Sequence, residues 1–351
     1  MRLPLIAAVL MTGACMADVG GGPPDRPPGD EEPRCNENEA EEYVESIRIA
    51  SEDDFDLVPK GCWELRGKLT IDGDSVTSLD RLDRLVAVDD LEIKNTGLVS
   101  IDTAHPIKVW GSLTMQNNEQ LEDVSNLDVL SNELANNIKL SITGNAELTD
   151  LDFLDSIERV DQDLTITDNP KLTSAALRSL VKVGGQIRIS DNASLKEVEL
   201  SSLDSIRGGL EIVNNAKLTT VRGMPLRELY GTMSIRNNAA LATLGEMSKL
   251  SRLDGSVIVD NNDALTAISM FPVDMSWITG SLTITNNAKL TSLGTLAQSL
   301  RAIGISGSLI ITHNPQLSSC VAKEVDVCVS TGTVTINNNL QVATCPASAC
   351  Q

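Results

Sequence analysis

Histidine and aromatic side chains are scarce in this chain: two His, three Trp, two Tyr and three Phe occur among 351 residues. Nucleophilic triads normally need a His to shuttle protons. Neither His105, which precedes Pro106, nor His313 lies near a Gly-x-Ser-x-Gly elbow, and both read as surface residues. Walker loops, dinucleotide fingerprints and repeated Gly-Gly-x-Gly-x-Asp calcium motifs are missing too. Basic residues are outnumbered, with 28 Lys plus Arg against 49 Asp plus Glu and a formal charge of −21. Phosphate binding depends on clustered Lys and Arg, so nucleic acid and anionic lipid surfaces are excluded as partners. Acid pairs such as Asp53-Asp54 and Asp89-Asp90 are too plentiful to single out and read as solvated faces. Apolar residues make up 41% of the chain, enough for a sizeable core, but without aromatic bulk that core must be narrow and repetitive.

The amino terminus reads as an address. Met1-Arg2 is followed by an apolar run from Leu3 to Met11, too short to span a bilayer as a mature helix. A positive start, a short apolar core and small residues before a cut describe an export signal. The ending Thr12-Gly13-Ala14-Cys15 resembles the bacterial lipobox, which implies a diacylated Cys15 as the new amino terminus. Thr12 stands where Leu is usual, and ordinary cleavage after Ala17 is the competing reading. Met16 rather than Asp after the cysteine implies, by the same resemblance, the outer membrane; a periplasmic or secreted protein is the alternative address. Residues 16–34 carry Gly20-Gly21-Gly22, Pro23-Pro24 and Pro27-Pro28 among acids, and read as a self-repelling tether.

Self-similarity dominates the remainder. The unit Gly280-Ser281-Leu282-Thr283-Ile284-Thr285-Asn286-Asn287-Ala288-Lys289-Leu290-Thr291-Ser292-Leu293 recurs along the chain. Its second asparagine falls at Asn118, Asn145, Asn169, Asn192, Asn215, Asn238, Asn262, Asn287, Asn314 and Asn339, with spacings of 23 to 27. Two degenerate copies begin at Gly67 and Asp89, giving about 12 coils. The alternation of Leu282 and Ile284 with Thr283 and Thr285 places the aliphatic pair inward on a short strand. Parallel stacking at about 4.8 Å per coil predicts an assembly roughly 55–60 Å long. An Asn amide donates and accepts together, so the ten form a structural ladder that satisfies turn backbone, with no catalytic role. Gly111, Gly185, Gly231, Gly255 and Gly307 precede the first inward aliphatic by two and are expected to relax a corner. The variable segments that close each coil are expected to hold short helical turns or a second strand. The fold class is therefore all-β, a right-handed parallel β-solenoid.

The entry segment Ile47–Leu57 with Cys62-Trp63-Glu64-Leu65-Arg66-Gly67-Lys68-Leu69-Thr70-Ile71, and the exit motif Asn314-Pro315-Gln316-Leu317-Ser318-Ser319-Cys320, resemble receptor L domains. Those are right-handed β-solenoids related to leucine-rich repeats. The resemblance covers about residues 35 to 345 and implies an extracytoplasmic binding or scaffold module. More coils than one receptor L domain, and no kinase or transmembrane segment, mean that receptor signalling is not implied. With Cys15 assigned to lipid, six cysteines remain, at the two solenoid ends. Even parity outside the cytoplasm argues for disulfides, and no His lies near a Cys pair in zinc-like spacing. Cys35 and Cys62 share the entry, and the resemblance supports their pairing. Cys320 and Cys345 occupy the Leu293 slot of successive coils, which leaves Cys328 for Cys350, although the other two exit pairings stay open.

The expected organisation is a lipoprotein-type signal over 1–15, a tether over 16–34, an entry cap over 35–66, repeats over 67–319, and a last coil with a Cys-rich cap over 320–351. No metal or cofactor is expected, and the only membrane contact is the lipid. Function reads as non-catalytic recognition or adhesion toward a protein or glycan partner, because the outward slot varies while the core does not. That slot holds Thr114, Ser141, Thr165, Arg188, Glu211, Ser234, Ile258, Thr283 and Ile310. The competing readings are an envelope spacer, a β-helix polysaccharide lyase or hydrolase, and an ice- or crystal-binding Thr array. The last is interrupted by Arg188, Glu211, Arg236 and Asp260.

Overall fold

The computed structural model describes residues 35, 40–130, 138–247, 249–269, 271–272, 278–296, 304–325, 332–342 and 345. The expected signal peptide, Cys15, the tether, Trp277, Cys328 and Cys350 lie outside the described residues. Contacts divide the chain into Met1–Arg34 and Cys35–Gln351. Every buried apolar side chain described belongs to the second unit, which carries a complete core of its own.

That unit is a parallel β-solenoid. Its main sheet runs from Glu41–Tyr43 and Ile47–Ile49 through Trp63–Asp72, Leu85–Lys94, Leu113–Gln116, Leu140–Thr143, Leu164–Thr167, Ile187–Ser190, Leu210–Val213, Met233–Arg236, Val257–Asp260, Leu282–Thr285, Leu309–Thr312 and Val334–Asn337. Every pairing is parallel, and from Leu113–Gln116 onward each inward aliphatic faces its counterpart one coil away, as Leu282 faces Leu309 and Ile284 faces Ile311. Sequence spacing dictates this register, because a slip by one residue would send every aliphatic to the solvent face. Full burial of each inward Leu or Ile contributes roughly 1.5–3 kcal/mol.

The return path is stranded in the middle of the solenoid, where asparagine spacing is 23 to 24. A second sheet stacks Ser174–Ala176, Glu197–Glu199, Thr220–Arg222 and Thr243–Leu244. A third stacks Arg159–Val160, Lys182–Val183, Ser205–Ile206, Glu228–Leu229 and Arg252–Leu253. Three sheets thus enclose one aliphatic core. Short 3-10 turns close other coils at Asp80–Leu82 and Asp152–Leu154, and the α-helix Ser319–Lys323 lies near the exit.

The repeated corner glycines serve a different purpose from the one expected. None adopts the left-handed conformation, which among the described glycines is confined to Gly144, Gly223, Gly294 and Gly304. They are small because the backbone stacks on itself: a Cβ on Gly208 would lie 2.6 Å from the carbonyl carbon of Gly185, and one on Gly231 would lie 2.6 Å from that of Gly208. Close approach, not φ, is what excludes a side chain here.

Disulfides join Cys35 to Cys62 at the entry and Cys320 to Cys345 at the exit. The entry is further closed by the 3-10 helix Glu52–Leu57, which buries Phe55, and by Trp63, whose ring meets Tyr43 edge-on at 6.1 Å.

Candidate binding surface

Two columns of turn residues run along one side of the main sheet and link successive coils. In the inner column each asparagine donates from its backbone N–H and its Nδ2 to Oδ1 of the next: Asn192 to Asn215 at 3.1 and 3.3 Å, Asn287 to Asn314 at 3.0 and 3.1 Å. Nδ2 also donates to the carbonyl of the strand one coil back, as Asn192 does to Ile166 at 3.0 Å. Nine of the ten are fully buried. Thr96 heads the column, donating from N–H and Oγ1 to Asn118 Oδ1.

The outer column is the residue just before. Asn95, Asn117, Asp168, Asp191, Asn214, Asn237, Asn261, Asn286, His313 and Asn338 all have φ between 51° and 61°, and Gly144 at 70° fills the remaining place. Sequence reading did not recognise this slot as left-handed. Its occupancy by Asn, Asp, His and Gly was the available signal, since these tolerate αL best. Their exposed side chains form a second, partial ladder: Asn237 Nδ2 donates to Asn214 Oδ1, which belongs to a residue that itself donates to Asp191, each at 2.8 Å.

Beside these columns lie the outward residues of the strands. At the entry end they are charged and mutually paired. Lys68 lies 2.9 Å from Glu92, Lys94 lies 3.4 Å from Glu92, and Arg48 lies 2.7 Å from Asp72. A hydrogen bond from Asn95, with help from Arg48 and Lys94, holds Asp72 below the ordinary carboxylate range despite partial burial. Burial pushes Glu92 upward, but Lys68 and Lys94 outweigh it and the net shift is downward. Midway, Arg188 and Glu211, in register on adjacent strands, pair at 2.8 Å.

Beyond Asp260 the outward residues become uncharged: Ser281, Thr283 and Thr285, then Ser308, Ile310 and Thr312, then Thr333, Thr335 and Asn337. Arg236 stands at this boundary. Its register partner Asp260 turns away, accepting from Thr285 Oγ1 at 2.6 Å and Asn286 Nδ2 at 2.8 Å. Arg236 makes no ion pair among the described residues, and its buried Nε has no hydrogen-bond partner. The hydroxyls of Ser234 on the same strand and Ser190 two strands away are likewise buried and unpartnered. Sequence reading took Arg236 only as an interruption of the Thr rows.

Chemistry is sparse elsewhere. His313 is exposed and its Nε2 meets Asn338 Nδ2 at 2.8 Å; His105 is partly buried, with Nε2 unpartnered. No group of three His, Cys, Asp or Glu among the described residues is arranged to hold a metal ion. A groove of about 490 Å³ at the entry cap is lined by Phe55, Val58, Pro59 and Arg84, with Asp56 held by Arg81. Trp110 is covered by the Arg66 guanidinium at 4.0 Å, which also reaches Glu64 at 2.9 Å.

In comparisons with known proteins, no family model, no curated protein and no solved structure matches this chain.

Proposed function

We propose that the chain is a non-catalytic, exported and lipid-anchored surface protein, resembling receptor L domains, that recognises a protein or glycan through the outward face of its main sheet. The anchor is Cys15, and the address is the outer membrane or cell surface. Repeat architectures suit recognition because each coil adds surface to one stiff, extended face.

One observation carries the reading. Arg236, whose buried Nε has no partner and which makes no ion pair among the described residues, stands on the outward face at the border of a charge-free field of Ser, Thr and Ile. Buried polar groups normally find partners. A partner offering acceptor oxygens to this guanidinium beside the hydroxylated face supplies the missing counterpart here.

A spacer is the second reading, favoured by the way Arg188 and Glu211, or Lys68 and Glu92, neutralise one another within the face. The experiment is pull-down and glycan-array binding with the purified unit Cys35–Gln351, alongside Arg236→Glu and the exchange Arg188→Glu with Glu211→Arg. Recognition predicts a captured partner whose binding drops at least tenfold in Arg236→Glu. Capture of nothing by any form favours the spacer, and turnover of an envelope polysaccharide overturns the non-enzymatic reading. Cys15→Ser in the full chain should release the protein from membranes or leave it unprocessed.

A further inference from the structure

The solenoid ends differently at its two ends. At the entry, the inward residue Ile49 is fully buried and Phe55 is 2% exposed; Val44 and Leu57 are 71% and 73% exposed there, but among the solvent-facing Glu41, Glu42 and Glu45. At the exit, Val334, Leu340 and Val342 are 39%, 47% and 41% exposed. From Gly332 to Val342 the chain reads Gly-Thr-Val-Thr-Ile-Asn-Asn-Asn-Leu-Gln-Val, without one charged residue in a protein of net charge −21.

Backbone direction at this end follows from the pairing. Leu309 N–H donates to the carbonyl of Thr333 and His313 N–H to that of Asn337, so the odd-numbered groups of the last strand face back into the sheet. Alternation then turns the N–H and C=O of Val334 and Ile336 away from it, and no described strand lies beyond. The inner asparagine column stops here as well. Asn339 is 6% exposed, and its N–H, which in the preceding rungs is given to the next Oδ1, has no partner among the described residues.

The geometry points to this edge as the interface of a twofold dimer, in which Val334–Asn337 pairs antiparallel with the same strand of a second copy. A donor and acceptor on each of Val334 and Ile336 make the edge self-complementary. With the axis through Thr335, Val334 of one copy exchanges both hydrogen bonds with Ile336 of the other, and Ile336 with Val334. The inward faces of the two sheets then coincide, and Val334 of each copy lies beside Ile336 of the other. Copies that repel elsewhere meet where neither carries charge. Head-to-tail stacking would instead set this uncharged edge against an entry that carries Glu41, Glu42 and Glu45, and would propagate into filaments.

The register supplies the test. In this arrangement Thr335 faces its own equivalent in a non-hydrogen-bonded pair, with Cα atoms about 4.5 Å apart, within disulfide reach. Thr333 faces Asn337 instead. Sedimentation of the unit Cys35–Gln351 should show a concentration-dependent dimer. Under mild oxidation Thr335→Cys should form a covalent dimer and Thr333→Cys should not. Val334→Pro, which removes an N–H that faces away from the protein's own sheet, should abolish the dimer while leaving the circular dichroism spectrum unchanged. A monomer at every concentration, a series of higher oligomers, a dimer that Thr335→Cys does not trap, or a dimer that survives Val334→Pro would each overturn the proposal.

Discussion

Asn215 gives both its backbone N–H and its Nδ2 to a single atom, Oδ1 of Asn238, at 3.0 and 3.3 Å. It also receives the same pair of bonds from Asn192 at its own Oδ1 and caps the carbonyl of Ile189 at 3.0 Å. Truncation to Ala therefore strands the donors of Asn192 and the acceptor of Ile189 in a dry turn. At about 1–3 kcal/mol for a buried group left unpaired, Asn215→Ala should cost about 3 kcal/mol, read as a lower urea midpoint at unchanged slope. An unchanged midpoint would remove the column from the account of stability.

The neighbouring column makes a different demand. Asn237 has φ of 58° and an exposed side chain. A β-branched residue in that conformation costs roughly 1–2 kcal/mol, whereas glycine is at ease there. Asn237→Val should therefore unfold at lower temperature than Asn237→Gly. Equal melting temperatures would show that the turn can flip without penalty.

At Gly208 the constraint is contact. An added methyl would sit 2.6 Å from both the carbonyl carbon and the oxygen of Gly185. Since the obstacle is backbone, neither coil can yield without disturbing the ladder, and Gly208→Ala should lose about 1–3 kcal/mol. Gly61, whose Cβ would meet nothing within 4 Å, is the matched control and should tolerate Ala.

Acid should weaken the entry end first. Asp72 and Glu92 both titrate below their ordinary values of 3.8 and 4.5. A depressed carboxylate contributes stability that is full above its unfolded value and disappears as pH falls through the folded one. Asp89 runs the other way: burial raises it against the pull of Arg66, so it favours the folded state more as it is protonated. The denaturation midpoint should fall on acidification below about pH 4.5. Lys94→Met, which removes a charge acting on both Asp72 and Glu92, should flatten that fall. A profile unaltered by Lys94→Met would detach the acid sensitivity from this cluster.

Why some of this was readable in the sequence and some was not has a physical basis. The inner column demands a side chain that donates and accepts at once from a buried position; asparagine meets it so specifically that the period appears as ten identical letters. The left-handed position demands only a permissive backbone, which Asn, Asp, His and Gly all provide, so the requirement is spread over four residue types. Strands as short as Arg159–Val160 are too brief to show an alternation, so the return path was expected only as short helical turns or a second strand, and the third sheet was not foreseen. Corner glycines were legible as a repeat, but a sequence does not distinguish a glycine needed for its φ from one needed for the coil beneath it. Arg236 became meaningful only once Asp260, its register neighbour, was seen to be occupied by Thr285 and Asn286.

The strict register from Ile187 to Met233 makes the solenoid a ruler with interchangeable divisions. Leu210 occupies, relative to Ile187, the place that Ile187 occupies relative to Leu164. Excision of one whole period, 187–209, would bring Leu210 against Leu164 with both asparagine columns, the glycine stack and three sheet edges in phase. Length can thus change by one division, about 4.8 Å, at no cost in kind. Excision of 22 or 24 residues would leave a coil of 24 or 22, the separations that the column already spans from Asn238 to Asn262 and from Thr96 to Asn118.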